Sequence, residues 1–323
     1  MVIPLLYLLK HIGGDSVAGL VQRNKRNSWW QEISRSKILY VLLVPTFAML
    51  AAFNYWPALT ALYRSFFSWD GAFYEEYIGL GNFIEIFQDP TMLVAFKNML
   101  LLTIGWVILR LVFPLLGAEL VFNLKNEKAQ YVYRVLFVIP MVIPQIVSFL
   151  LWRFMYGMHG PINEFLRVIG MGHLARGWLG DFDFALMAIL AVGFPWIDAF
   201  NFLIFLAGLI AIPTSILESA RLEGAVGLKR ILRIDIPLIM GQIKLVAVLS
   251  LINTIREYQM VLVMTNGGPG WATMVPGLAM YQNAFHYGRM GYGSAIGTTL
   301  FVILLGLTYL NMKYVRSEIE LDA

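Results

Sequence analysis

Cysteine is absent from this chain of 323 residues. Disulfides, thiolate metal sites, iron–sulfur clusters and cysteine nucleophiles are therefore excluded, and cysteine usage gives no reading of redox compartment. Charge is scarce: Asp, Glu, Lys and Arg make up 14% of the residues, against roughly 25% in soluble domains. The four histidines, His11, His159, His173 and His286, show no HExxH spacing, which argues against a zinc hydrolase. There is no GxxxxGK[ST] loop to cradle ATP phosphates and no GxSxG nucleophile turn. What abounds is apolar surface, with 59% hydrophobic residues and a mean hydropathy of +0.69. A disordered chain is excluded, an ordinary soluble enzyme is disfavoured, and the bilayer is the solvent that fits. Work against a gradient would draw on an ion gradient or on another chain.

Six apolar runs lie at about 38–62, 98–122, 134–156, 184–212, 238–265 and 294–315, each long enough for the ~20 residues that cross a membrane as helix. The expected fold is an all-α membrane protein with six transmembrane helices. Met1 to Leu9 is apolar but too short to span, and it lacks the basic start of a signal peptide. A surface-lying segment is the expectation there. Lys and Arg set the orientation. Fifteen fall in the N-terminal segment, the 2–3 loop, the 4–5 loop and the tail, and five (Arg64, Lys97, Arg167, Arg176, Arg289) on the other side. That bias places both termini and the 4–5 loop in the cytoplasm. The domains read as a cytoplasmic segment 1–36, a membrane domain 37–315 and a tail 316–323. The net charge of +4 is then loop topology and no sign of nucleic acid. The outer stretches 63–97 and 157–183 are too small for separate domains, and no internal repeat is visible.

The most informative stretch is 213–237, PTSILESARLEGAVGLKRILRIDIP. Ser215 and Glu218 have the spacing of a capping box, which would open a short helix. Gly224 then permits a turn, a second short helix follows through Lys229 to Arg233, and Pro237 suits the first turn of the next span. By chemistry alone the stretch reads either as a solvated loop or as a docking helix whose small residues, Ala220 and Gly224, allow close approach to a partner.

The spacing resembles the EAA loop of binding-protein-dependent ABC importer permeases: Glu-Ala-Ala, then Gly, Ile and Leu-Pro at fixed offsets. Glu218, Ala220, Gly224, Ile234 and Pro237 stand in register, Ser219 and Ile236 are conservative departures, and Glu223 stands where Asp is common. FLIFLAGLIAIP at 202–213 and TNGGPGWAT at 265–273 are similar to segments of the sugar-permease subtype related to the larger maltose permease, whose extra periplasmic domain is missing here. The resemblance implies a type I ABC importer permease in a bacterial or archaeal plasma membrane, surrounded by lipid. It implies a second permease subunit, two ATP-binding subunits that carry ATP and Mg, and a solute-binding receptor protein that delivers an oligosaccharide. No cofactor is expected on this chain, nor enzymatic activity of its own. The implied ATPase-coupling residues are Ser215, Glu218, Ser219, Ala220, Arg221, Glu223, Gly224 and Ala225.

Charged groups inside spans are costly and face a cavity or a partner. Arg110, Glu119, Asp198, Lys244, Arg256 and Glu257 are such groups; Lys244 sits near a span end, where snorkelling suffices. On an unbroken helix Asn253, Arg256 and Glu257 would share one face. Trp196, Asp198 and Asn201 in span 4, with Asn253, Arg256, Glu257, Tyr258 and Gln259 in span 5, are the candidate lining of a sugar pathway. The competing reading is hydrogen bonding between two permeases. Arg110 and Arg256 suit an acidic sugar or an internal ion pair such as Arg256 with Asp198, and the sequence leaves both open. Gly267, Gly268 and Pro269 should form a tight outer turn, a candidate receptor contact. The rival function is a proton-coupled secondary transporter using Glu119 or Glu257; it lacks the expected repeat and has no use for an EAA-like loop.

Overall fold

The computed structural model describes residues 37–314; the Met1–Leu9 segment expected to lie on a surface, the rest of 1–36 and the tail 316–323 fall outside them. Residues up to Thr60 and those from Ala61 onward form two units. In the first, α1 (Lys37–Leu50) passes through a π-helical stretch, Ala51–Tyr55, into α2 (Trp56–Arg64). The apolar run Tyr40–Arg64 is long enough to cross a membrane.

From Ala61 onward the chain opens with a small hairpin, β1 (Phe67–Trp69) against β2 (Glu75–Tyr77), antiparallel with Ser68 opposite Glu76. The Asp70 carboxylate closes its turn by accepting the N–H groups of Ala72 and Tyr74 at 2.8 and 3.1 Å, which holds its pKa below the ordinary value. Helix α3 (Gly81–Gln88) follows. Then comes α4 (Pro90–Phe122), an unbroken helix of 33 residues, about 50 Å long at 1.5 Å per residue. Its start is set by Asp89, which accepts the Thr91 N–H at 2.8 Å, and by Pro90 in the first turn, where a missing N–H is harmless. The helix therefore begins eight residues before the expected 98.

Among the described residues three single helices are long and apolar enough to cross a membrane: Tyr40–Arg64, α4 and the last helix, α15 (Met290–Tyr314). Three further candidates are bent pairs. Helix α5 (Glu127–Val138) tightens into a 3₁₀ turn, Ile139–Val142, and meets α6 (Gln145–Met155) at 93°. After α7 (Pro161–Val168) and α8 (Ala185–Ala191), α9 (Ala199–Ile210) meets α10 (Thr214–Leu222) at 72°. Helix α11 (Leu228–Leu238) meets α12 (Met240–Ile255) at 73°, followed by α13 (Gln259–Met264) and α14 (Pro276–Tyr281). Counting one span for each bent pair gives up to six among the described residues, in line with the hydropathy runs; in the second pair the apolar run is α9, and α10 is the more polar arm beyond it. Two of these bends carry a proline, Pro144 and Pro213, without the N–H that would continue a helix.

Helix α4 is the spine, packed against α9 and α12. One apolar cluster surrounds its first half, with Met92, Leu102 and Trp106 against Ile189, Val261, Leu278 and Ile296. A second surrounds its last turns, with Ala118 and Val121 against Phe202, Phe205, Leu209 and Ile239. The start of α15 lies directly on β1: a Cβ on Gly291 would meet the Phe67 carbonyl oxygen at 2.0 Å, so only glycine fits. In the 157–183 stretch the fully buried Asn163 ties the chain together. Its amide donates to the carbonyls of Gly157, Met158 and Arg176, and its oxygen accepts from the Trp178 indole at 2.9 Å.

Asn98, buried on α4, donates to the carbonyls of Trp271, Ala272 and Met274 at 3.4, 3.0 and 3.0 Å. It pins the turn 265–274 to the spine. Replacing it with leucine strands these acceptors, and is expected to cost about 2–4 kcal/mol and lower the apparent melting temperature by about 5 °C or more. Tryptophan fluorescence during heating in detergent measures this; an unchanged melting temperature would show that water replaces the amide.

Candidate functional site

The first candidate is a cavity of about 720 Å³, within the size range of small-molecule sites. Trp106 and Arg110 on α4 line it, with Gln145, Ser148 and Trp152 on α6 and residues 193–198 ahead of α9. Gln145, Ser148 and Trp152 recur at i, i+3 and i+7, so one face of α6 carries them. The stretch before α9 contains a cis Phe194–Pro195 peptide and holds Trp196 at φ +57°. That left-handed conformation is costly for a bulky residue and persists only when its surroundings enforce it. The Phe113 and Phe194 rings do so, each 4.9 Å from the Trp196 ring.

Arg110 extends along Trp106, 5.8 Å from the ring centroid. It makes no ion pair within 4 Å among the described residues. The carboxylates whose charge it feels are Asp198 and Glu257. Each also caps a helix: Asp198 accepts the Asn201 N–H at the start of α9, and Glu257 the Met260 N–H at the start of α13, both at 2.9 Å. One cation and the Asp198 carboxylate thus line a cavity with aromatic faces, an amide and a hydroxyl. Apolar ring faces of a sugar can stack on the indoles while its hydroxyls find donors and acceptors.

The expected pathway residues separate. Trp196 and Asp198 line the cavity, whereas Glu257 is outside its lining and accepts the Met260 N–H. Asn201 is buried and turned toward α4, where its amide donates to the Arg110 carbonyl at 3.4 Å. That carbonyl is free because Pro114, four residues on, has no N–H to give it. Asn253, Arg256 and Gln259 are exposed on this chain. Tyr258 stacks on Tyr281 at 5.5 Å. The single face expected for Asn253, Arg256 and Glu257 does not exist, because α12 ends at Ile255 and Glu257 caps the following helix. Arg256 and Asp198 form no ion pair. Lys244 does not simply snorkel: its ammonium donates to the Met312 carbonyl of α15 at 3.2 Å. Gln145, Ser148 and Trp152 are absent from the expected set; a polar pair three residues apart just after Pro144 was their only signal.

The second candidate is the loop around α10. Its helix begins after Pro213, and Ser215 makes no cap, so the expected capping box with Glu218 is not formed. Pro213 already sets the first turn. The far end is a Schellman motif: the Ala225 N–H bonds the Ala220 carbonyl at 2.8 Å and the Gly224 N–H bonds that of Arg221 at 3.1 Å. Gly224 sits at φ +72°, where glycine has no Cβ penalty. Ala220 and Ala225, the two ends of the motif, are buried and supply its usual apolar contact. Glu218, Ser219, Arg221, Glu223 and Gly224 are exposed, as are Leu222 at 90% and Val226 at 61%. Beyond it, 228–238 is one helical piece with a π-helical middle. Pro237 lies in this piece and not in the first turn of α12, because the bend comes at Ile239.

The third candidate is the turn 265–274. The Thr265 and Thr273 hydroxyls bond each other at 2.7 Å, and Thr273 donates to the Gly268 carbonyl at 2.8 Å. Gly267 is buried beneath Met274, whose Cε would lie 2.8 Å from a Cβ there. Gly268 and Pro269 line an open groove of about 430 Å³ with Arg153 and Tyr156.

Comparison with known proteins agrees with this architecture. The chain is 30% identical to a probable ABC transporter permease of Bacillus subtilis, YurN, over 89% of this chain and 99% of that protein. It is 28% identical to the sulfoquinovosyl glycerol transport permease SmoG of Agrobacterium fabrum, over 90% and 94%. Its fold matches a chain of a bacterial alginate ABC transporter, solved with an alginate pentasaccharide-bound periplasmic protein. The TM-score is 0.79 at 20% identity, over 90% of this chain and 99% of that one. Residues 111–315 match the family of binding-protein-dependent transport system inner membrane components, and the chain belongs to it.

Proposed function

We propose that the chain is the pathway-forming permease through which an oligosaccharide enters the cell, working beside a second permease subunit. Two ATP-binding subunits, which carry ATP and Mg, seat on α10, and a solute-binding receptor protein presents the sugar at the opposite face. This reading puts both termini and α10 in the cytoplasm, and the bias in the Lys and Arg distribution supports it. The observation that carries the reading is the 720 Å³ cavity, where Trp106, Trp152 and Trp196 stand beside Gln145, Ser148 and Arg110. The sugar transport systems named among the relatives support it. Asp198 lines the same cavity as Arg110; its carboxylate offsets the cation, which favours a neutral sugar over a uronate. The exposed Glu218, Arg221 and Leu222 supply polar and apolar contact to the ATPase, and Gly268 and Pro269 contact the receptor.

Deletion of the chain in its host tests this, by uptake of labelled neutral and uronate oligosaccharides. The expected result is loss of uptake of one neutral oligosaccharide class, restored by the intact gene. Loss confined to amino acids, phosphate or uronates would overturn the substrate assignment.

A further inference from the structure

The described residues hold one buried charge network outside the cavity, and it joins the loop to the spine. Arg230 on α11 is 7% exposed and Asp235 is fully buried. The Arg230 Nε donates to Asp235 Oδ2 at 2.9 Å, and its Nη2 to Asn123 Oδ1 at 2.5 Å. Asn123 is the C-terminal cap of α4; its amide donates to the Glu119 carbonyl at 2.8 Å and to Glu119 Oε2 at 3.1 Å. The guanidinium also lies 5.8 Å from the Phe122 ring centroid. The last turn of α4 is therefore clasped by the helix that follows the Schellman turn. A guanidinium fork suits such a clasp, since its planar donors fix direction as well as distance.

The spine makes this clasp consequential. Arg110 lies nine residues before Glu119 on the same unbroken helix, about 14 Å along its axis, and it lines the cavity. A displacement of α11 must either move the last turns of α4 or break buried charged hydrogen bonds. The clasp also has a second pairing within reach. Glu119 Oε1 and Asp235 Oδ1 are buried with no partner, and Glu119 lies in the field of both Arg230 and Asp235. These two unused acceptors, one on each element, give the guanidinium an alternative to its present bond, the kind of discrete alternative that physical coupling requires.

We propose that Arg230, Asp235 and Asn123 are positioning residues that transmit movement of the α10–α11 loop to α4, and so to Arg110 in the cavity. The proposal rests on α10 being the ATPase-facing helix. Because the chain has no cysteine, a single Ser148→Cys substitution reports cavity accessibility. The full complex is purified through a tag on this chain, and maleimide labelling is timed without nucleotide and after trapping with MgATP and vanadate. Trapping is expected to change the labelling rate about fivefold or more with the network intact. Asn123→Leu and Arg230→Gln should each reduce that change to under about twofold, with ATP-binding subunits still co-purifying. Asn123→Gln, which keeps the carboxamide, should restore most of it. A role in folding alone would lower recovery of the complex and leave the trapped-state response intact. Retention of the full response in both variants would overturn the relay. If trapping leaves labelling unchanged even with the network intact, the assignment of α10 fails, and the relay with it.

Discussion

Replacing Gly224 with valine is expected to lower the ATP hydrolysis of the purified complex about tenfold, with asparagine at the same position retaining most of it. Gly224 occupies φ +72° at the end of α10, and a Cβ there would meet no atom within 4 Å. The penalty is therefore conformational and not steric crowding. Left-handed backbone costs an L-residue about 1–2 kcal/mol, more for a β-branched one, and asparagine tolerates it. One to two kcal/mol corresponds to about 5–30-fold in a conformational equilibrium. With valine the turn opens and the bonds from Ala225 to Ala220 and from Gly224 to Arg221 are lost. The exposed face bearing Glu218, Arg221 and Leu222 then leaves its position. Hydrolysis by the tag-purified complex, normalised to ATP-binding subunit recovered, measures the effect. Equal loss with asparagine and valine would show that contact at Gly224, and not its backbone angle, is what the partner needs.

That turn also shows why the loop was legible in the sequence. Ala220 and Gly224 stand four residues apart because the Schellman motif puts glycine in the left-handed position next to the Ala225 that bonds back to Ala220; Glu218 and Pro237 lie outside the motif. Hydropathy located all six spans, since apolar length is a sum and insensitive to breaks. For the same reason it concealed the bends at 143–144, 211–213 and Ile239. Periodicity failed wherever a helix was assumed to continue. Glu257 looked like a lining residue of span 5 and proved to cap α13, and Ser215 looked like a cap where Pro213 had already set the helix start. Asn201, a candidate pathway residue, is buried with its amide donating to the carbonyl that Pro114 frees, a contact the sequence pattern did not show. Single amides in apolar runs, Asn98 above all, carry no sequence signal for a partner some 170 residues away. Family membership removes the proton-coupled alternative. Broken helices did not discriminate, because this permease has them as well.

The second large effect is expected in the cavity. A Gln145→Leu, Ser148→Ala double substitution keeps the volume close to native and removes two groups that can hydrogen-bond a sugar. At about 1–1.5 kcal/mol for each lost bond, transport efficiency should fall about 30- to 100-fold, read as kcat/KM for uptake into proteoliposomes holding the complex. Both side chains project from one face of α6 into the space bounded by Trp106, Trp152 and Trp196, so the loss should fall on substrate handling and leave assembly intact. The matching experiment uses Asn253→Leu with Gln259→Leu. These side chains are exposed on this chain and lie outside the cavity lining. A polar pair exposed in an apolar span needs water or a polar partner, and the second permease is the partner expected. That pair should weaken recovery of the second permease and change uptake per intact complex less than threefold, roughly the effect of one weak contact. The reverse pattern, with uptake insensitive to Gln145 and Ser148 but lost with Asn253 and Gln259, would move the pathway to the α12 face and leave the cavity as a packing defect between bent spans.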